Sequence, residues 1–122
     1  MTKEDIENLI KRYPYIISAV KANLSKTVFY IGNRKQVIEI TDDTKSVCKF
    51  VQLIYSEEKT EWIRTMIRGI MSGKSDIKIM DEIHFTKNGY YPKKQAFIDK
   101  VYYCCISQGL VTFEEILNER IA

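Results

Sequence analysis

The stretch from residue 85 to residue 98 contains three lysines and no acidic residue. Ammonium groups grouped in this way can neutralise the phosphates of nucleic acid, and a nearby glutamine can pair through two hydrogen bonds with adenine. Tyrosine hydroxyls can donate hydrogen bonds to phosphate oxygens. These residue types predict a surface that binds double-stranded DNA, and the expected contact residues are Lys87, Tyr90, Tyr91, Lys93, Lys94 and Gln95.

The opposite interpretation is that these lysines are the solvated start of an ordinary helix. Helix-turn-helix geometry also occurs in many proteins that never touch DNA. A formal net charge of +3 and a pI of about 8.7 permit contact with nucleic acid without requiring it. The charge balance leaves both interpretations open.

Residues that could carry catalysis or bind a metal are few. The single histidine, His84, has no serine or cysteine in a recognisable nucleophile arrangement. The three cysteines are Cys48 and the adjacent pair Cys104 and Cys105, which match neither a disulfide framework nor a CxxC metal clip. The Gly-Lys-Ser at residues 73–75 lacks the first glycine of a phosphate-binding loop. We therefore expect no enzyme activity, no metal and no cofactor.

The first third of the chain predicts helices followed by a hairpin. Apolar residues recur at helical spacing over residues 2–24, with Thr2 as the expected N-cap, and Pro14 predicts a break just before it. Residues 27–40 are rich in β-branched and aromatic side chains around the turn-prone pair Gly32-Asn33, which favours a short β-hairpin. Two strands alone are marginally stable in water, so this hairpin should pack against helices or form a loosely ordered arm.

A helix, a turn and a longer helix are expected over residues 75–108. Ser75 is the expected N-cap, and the inward side chains of the first helix would be Ile77, Met80, Ile83 and His84. The pair Asn88-Gly89 readily adopts left-handed geometry and should form the turn. Pro92 suits the first turn of the following helix, because its missing N–H would be unpaired there.

The remaining segments are also helical in pattern. Residues 43–72 should form two central helices, and Thr112 with Glu115 forms a capping box for a C-terminal helix over residues 112–121. The length of 122 residues fits one domain, and no window approaches the ~20 apolar residues that cross a bilayer. We expect a cytoplasmic protein of the mainly α class, a small helical domain with a C-terminal helix-turn-helix and a short β-hairpin near residues 27–40.

Aromatic and apolar side chains support a second hypothesis, in which the chain binds a protein. Side chains of this kind anchor interfaces, and the candidates are Trp62, Tyr102, Tyr103, Phe113 and Leu117. The partner would be another protein, and pairing of the C-terminal helix with its copy would give a homodimer. Packing of that helix within its own chain is the remaining alternative.

Two parts of the chain resemble a known family. The opening "IENLIKRYPYIISAVKANL" is similar to the N-terminal helix, with its Tyr-Pro break, of the ArpU/RinA-like late-gene transcription regulators carried by phages and prophages of Gram-positive bacteria. The later "EWIRTMIRGIMSGKSDIKIMDEIHFTKNGYYPKKQAFIDKVYYCC" resembles their C-terminal half, which is similar to the promoter-binding helix-turn-helix of sigma factor region 4. The resemblance implies a DNA-binding activator of late genes, and its protein partner would be RNA polymerase or another phage regulator.

In that family, a helix that follows the turn "IHFT", here residues 83–86, binds DNA. Carried over to this sequence, the resemblance implies contacts from Tyr90, Tyr91, Lys93, Lys94 and Gln95, on a helix that starts near Pro92. The sequence departs from the family pattern at residues 88–92, which replace a segment rich in serine and threonine. It also adds the tail "GLVTFEEILNERIA" after the expected last helix.

Overall fold

The computed structural model describes the backbone of residues 1–121 and the side chains of residues 1–120. Within these residues the fold is mainly helical with one antiparallel hairpin, as the sequence predicted. The elements are α1 (Lys3–Lys11), α2 (Tyr13–Lys21), β1 (Lys26–Ile31), β2 (Arg34–Glu39), α3 (Asp42–Glu57), α4 (Glu61–Met71), α5 (Asp76–Ile83), α6 (Lys87–Ser107) and α7 (Phe113–Ile121).

Local capping signals start several helices where the sequence predicted them. The Oγ1 of Thr2 accepts a hydrogen bond from the N–H of Asp5 at 3.1 Å, and the carboxylate of Asp5 accepts one from the N–H of Thr2 at 2.9 Å. Thr112 and Glu115 form the same reciprocal pair at the start of α7. Ser75 caps α5. Each cap satisfies N–H groups that have no partner inside the helix.

The hairpin turns through Gly32-Asn33, because Ile31 pairs directly with Arg34. Gly32 has a φ of +59°, a conformation that glycine adopts without a steric penalty. On the side facing the helices, the buried ring of Phe29 stacks on the ring of Tyr15 with 4.3 Å between centroids. The hairpin is thus held against α2, as a two-stranded sheet requires.

The core lies between α1, α3, α4 and α6, and α5 closes it by packing on α4. Apolar side chains spaced at three and four residues on each helix point inward, and burial of this surface is the main stabilising contribution. The largest side chains with less than 2% exposure are Tyr90, Ile6, Ile16, Met66, Ile67 and Ile79.

The inward face of α5 differs from the prediction. Ile79 is buried instead of Ile77, which is 76% exposed, and His84 is exposed as well. Gly69 on α4 explains the choice, since a Cβ at this position would lie 2.8 Å from Cγ1 of Ile79. The absent side chain lets the two helices approach closely with Ile79 between them. The prediction of Ile83 as a core residue is confirmed.

Candidate nucleic-acid interface

The turn between α5 and α6 spans residues 84–86 and lies earlier than predicted. His84 adopts the left-handed conformation with a φ of +58°, and the N–H of Phe85 donates to the carbonyl of Met80 at 3.0 Å. Asn88-Gly89 lie in the first turn of α6, so the prediction of a turn at these two residues was wrong. A connection of three residues has the length that helix-turn-helix units use.

Phe85 and Gly89 explain why the chain turns here. A Cβ on Gly89 would lie 3.1 Å from Cδ2 of Phe85, so the glycine makes room for the aromatic ring and does not bend the chain. That ring packs against Trp62 of α4, with 4.6 Å between the ring centroids. Thr86 then serves as the N-cap residue of α6 in an extended conformation. An aromatic pair therefore fixes the turn to the body of the domain.

Pro92 lies inside α6, which begins at Lys87, so the prediction of a helix starting near Pro92 was wrong. A proline has no N–H to donate, which leaves the carbonyl of Asn88 without its partner one turn later. Asn88 is exposed, so water can reach that carbonyl. The proline is tolerated because it lies close to the solvated end of the helix.

Tyr90 is buried and Lys94 is half-buried, and both side chains contact Asp76. Tyr90 is fully buried, and its hydroxyl donates to Oδ1 of Asp76 at 2.6 Å. The Nζ of Lys94 lies 2.8 Å from the same oxygen. Burial opposes ionisation of Asp76, but the hydrogen bonds from Lys94 and Tyr90 outweigh it and hold the pKa of this carboxyl below its ordinary value. The prediction of Tyr90 as a contact residue was wrong, and Lys94 is held in an ion pair.

Burial and the hydrogen bond to Asp76 also raise the pKa of Tyr90 far above its ordinary value, so the phenol stays protonated. Lys93 projects toward α4, where its Nζ lies 5.9 Å from the centroid of the Trp62 ring. At this distance the ammonium group is attracted to the face of the ring. Lys93 is exposed and remains able to contact a ligand.

A polar surface remains on the first half of α6. Residues at intervals of three and four lie on one face of a helix, and this spacing brings together the exposed side chains of Lys87, Asn88, Tyr91 and Gln95. We call these four residues the α6 face. The side-chain amide of Gln95 donates to Oδ1 of Asp99 at 3.0 Å. Asn88 was not predicted as a contact, because it was assigned to the turn.

The N-terminus of α6 adds backbone donors to the α6 face. Thr86 makes no side-chain hydrogen bond to the first turn. The first N–H groups of a helix carry partial positive charge and lack helical partners, so they suit phosphate oxygens. Lys87 lies at this end of the helix. The cation and the backbone donors could therefore contact the same phosphate group.

The proposed protein-binding side chains divide into two groups. Tyr102 is buried, so its prediction as a protein-binding anchor was wrong, whereas Trp62 is half-buried and stays a prediction. The exposed fractions of Tyr103, Phe113 and Leu117 are 61%, 75% and 42%. Phe113 and Leu117 are four residues apart and share a face of α7. The other face of α7 packs on the core of its own chain.

Residues 1–121 were also searched for metal sites, reactive thiols and membrane-spanning helices. Within that part of the chain, no group of three histidine, cysteine or acidic side chains could hold a metal ion. Burial raises the pKa of the Cys48 and Cys105 thiols to about 11, which keeps them protonated at neutral pH. None of the described helices combines the length and apolar character needed to span a membrane.

Comparison with protein-family models, with curated proteins and with solved structures found no match. The functional proposal therefore depends on the residues, on their geometry and on the sequence resemblance described above.

Proposed function

We propose that the chain binds double-stranded DNA through the α6 face and regulates transcription, as the phage and prophage regulators that it resembles do. The observation that supports this most directly is the connection of three residues between α5 and α6, followed by an exposed polar face on the first half of α6. In helix-turn-helix proteins the second helix enters the major groove, and its N-terminal residues contact base edges.

Each residue of the α6 face has a chemical role in this proposal. Lys87 and the free N–H groups beside it contact phosphates, which orients the helix without selecting a sequence. Asn88 and Gln95 carry amides that can pair with adenine through two hydrogen bonds. Tyr91 donates its hydroxyl to a phosphate oxygen. Sequence selection would then come from the two amides.

The proposed regulator acts in the cytoplasm without a catalytic step or a cofactor. It activates late genes of its phage or prophage, and its further partner is RNA polymerase or another regulator. One short helix-turn-helix offers few base contacts, so binding as a homodimer to two half-sites would increase both affinity and selectivity.

A selection experiment tests this function and identifies the target sequence at the same time. The purified chain is mixed with a pool of random-sequence duplexes, and bound DNA is recovered and amplified over several rounds. We expect one sequence motif to become enriched, and its affinity to fall steeply with salt because phosphate contacts release counterions. Recovery of unrelated sequences after repeated rounds would contradict sequence-specific binding.

A second candidate function, binding of a transcription protein, is favoured by the exposure of Phe113 and Leu117 on α7. Apolar side chains so exposed are candidates for interface anchors. The test measures binding of purified RNA polymerase to the wild type and to a Phe113→Ser, Leu117→Ser variant. Loss of binding in the variant, with unchanged thermal unfolding, would support this function. Equal binding by both proteins would contradict it.

A further inference from the structure

The positive charge of the chain is concentrated between residues 8 and 38. This segment contains no aspartate or glutamate, and its cations are Lys11, Arg12, Lys21, Lys26, Arg34 and Lys35. Because the whole chain has a net charge of +3, these six cations leave −3 for the remaining residues. A charge asymmetry of this size within a small domain indicates a surface suited to an acidic partner.

Most of these cations are open to solvent. Five of the six are exposed, and Arg12 is half-buried, with its guanidinium 5.3 Å from the centroid of the Phe29 ring. Among the described residues none of the six belongs to an ion pair. By contrast, Lys3, Lys74 and Lys94 each lie within 4.0 Å of a carboxylate. The cations of residues 8–38 are therefore free to bind an anionic ligand.

A groove connects this segment to α6. It has a volume of about 460 Å³, and Lys11 and Arg12 line one wall while Lys94 and Ile98 of α6 line another. Two carboxylates, Glu7 and Asp76, also border the groove. Asp76 is already held by Lys94 and by Tyr90. Arg12 therefore contacts Phe29 of the hairpin and lines the same groove as Lys94 of α6.

The hairpin has the composition of a nucleic-acid contact. Tyr30, which is 65% exposed, pairs across the strands with Lys35, and Arg34 follows the turn directly. One carboxylate, Glu39, lies opposite Lys26 at the far end of the hairpin. Basic side chains next to an exposed aromatic ring suit the phosphates and sugars of a DNA backbone. Because successive residues of a strand point to opposite faces, Lys26, Tyr30 and Lys35 lie on the face away from Phe29, and Arg34 lies on the other face next to the turn. We call Lys11, Arg12, Lys26, Arg34 and Lys35 the basic track, which extends around the tip of the hairpin.

We propose that the basic track is a second DNA contact, which binds the phosphate backbone beside the groove that α6 enters. This inference depends on the proposed function, because it places the same DNA molecule across both surfaces. Contacts between cations and phosphates add affinity for every DNA sequence and do not distinguish one sequence from another. The hairpin would thus increase the strength of binding, while the α6 face would decide its selectivity.

The test compares two variants that lose the same charge. The first is Arg34→Gln with Lys35→Gln in the hairpin, and the matched control is Lys45→Gln with Lys49→Gln on the exposed surface of α3. Affinity is measured over a salt series for the selected duplex and for an unrelated duplex. We expect the hairpin variant to bind both duplexes more weakly by the same factor, with the salt slope reduced by about 2, one unit for each cation removed.

The control variant should keep the wild-type slope, and thermal unfolding should show that both variants are folded. If the hairpin variant kept the wild-type affinity and salt slope, the basic track would not be a DNA contact, even if the wild type prefers the selected duplex. Reduced binding to the selected duplex alone would also overturn it. If the hairpin variant bound both duplexes as the wild type does but lost binding to vesicles of anionic lipid, the basic track would be a membrane contact and the proposal would be wrong.

Failure of the proposed function would give a different result. In that case the wild type binds all duplexes equally, while the hairpin variant still shows the reduced salt slope, which supports the basic track as a contact for any DNA. Absence of binding by the wild type even at low salt would overturn both proposals.

Discussion

The hydroxyl of Tyr90 donates a hydrogen bond of 2.6 Å to Oδ1 of Asp76, and this contact joins the first turn of α5 to the first turn of α6. The ammonium group of Lys94 binds the same oxygen from one turn further along α6. These contacts fix the angle between the two helices from the inside. The side chains of the α6 face take no part in these contacts and are exposed.

Replacement of Tyr90 by phenylalanine tests this structural role. The substitution removes a hydrogen bond to a carboxylate and should lower the free energy of unfolding by about 1.5 kcal/mol. The matched control is Tyr91→Phe, whose side chain is exposed and should change stability by less than about 0.5 kcal/mol. Urea denaturation of both variants measures the difference. Equal stability of the two variants would contradict the assignment.

The ion pair of Asp76 predicts a particular pH dependence. Its pKa is lower in the folded chain than in the unfolded chain, so it stabilises the fold above the unfolded value of about 3.9. This contribution is lost as the pH falls through the folded pKa. We expect Asp76→Asn to be less stable than the wild type at pH 7, and the two proteins to converge in acid. A stability difference that stayed constant down to pH 2 would show that the charge of Asp76 does not matter.

Gly69→Ala tests the close approach of α4 and α5. The added Cβ would lie 2.8 Å from Cγ1 of Ile79, which is a buried side chain with little room to move. Overpacking of this kind costs about 1 to 3 kcal/mol, although alanine's higher helix propensity offsets up to about 1 kcal/mol. Ile79→Ala should be less harmful in the Gly69→Ala background than in the wild type. Additive effects in this double-mutant cycle would rule out the steric conflict.

Helix starts were predictable because a cap is a local feature of the sequence. Thr2, Ser75 and Thr112 each precede a helix and form the expected side-chain bond to its first turn. The hairpin turn at Gly32-Asn33 was predictable for the same reason. Where a few neighbouring residues decide the conformation, the sequence pattern was sufficient.

The two main errors arose where distant residues decide the structure. Asn88-Gly89 favours a turn locally, but the packing of Phe85 between Gly89 and Trp62 places the turn earlier. The pattern of the eight residues of α5 is compatible with more than one inward face. The space left by the missing side chain of Gly69 accommodates Ile79, which decides which face is buried. The burial of Tyr90 followed from the same shift, because Tyr90 then lies within α6 on the face that packs against the core.

Substitution of the α6 face should change DNA binding and leave stability unchanged. Lys87→Ala should weaken binding to all duplexes and reduce the salt slope by about 1. Gln95→Ala should cost about 1 to 3 kcal/mol of discrimination in favour of the selected duplex. Both residues are exposed, so thermal unfolding should be unchanged. A Gln95→Ala variant that kept the full preference would exclude this amide as a base contact.

The position of the DNA site on the chain can be tested directly by NMR. Amide chemical shifts of the labelled chain are followed by NMR as the selected duplex is added. The largest changes are predicted at Lys87, Asn88, Tyr91 and Gln95, with smaller changes on the hairpin and none on the exposed face of α7. Changes confined to α7, or no changes at low salt, would contradict DNA binding through α6.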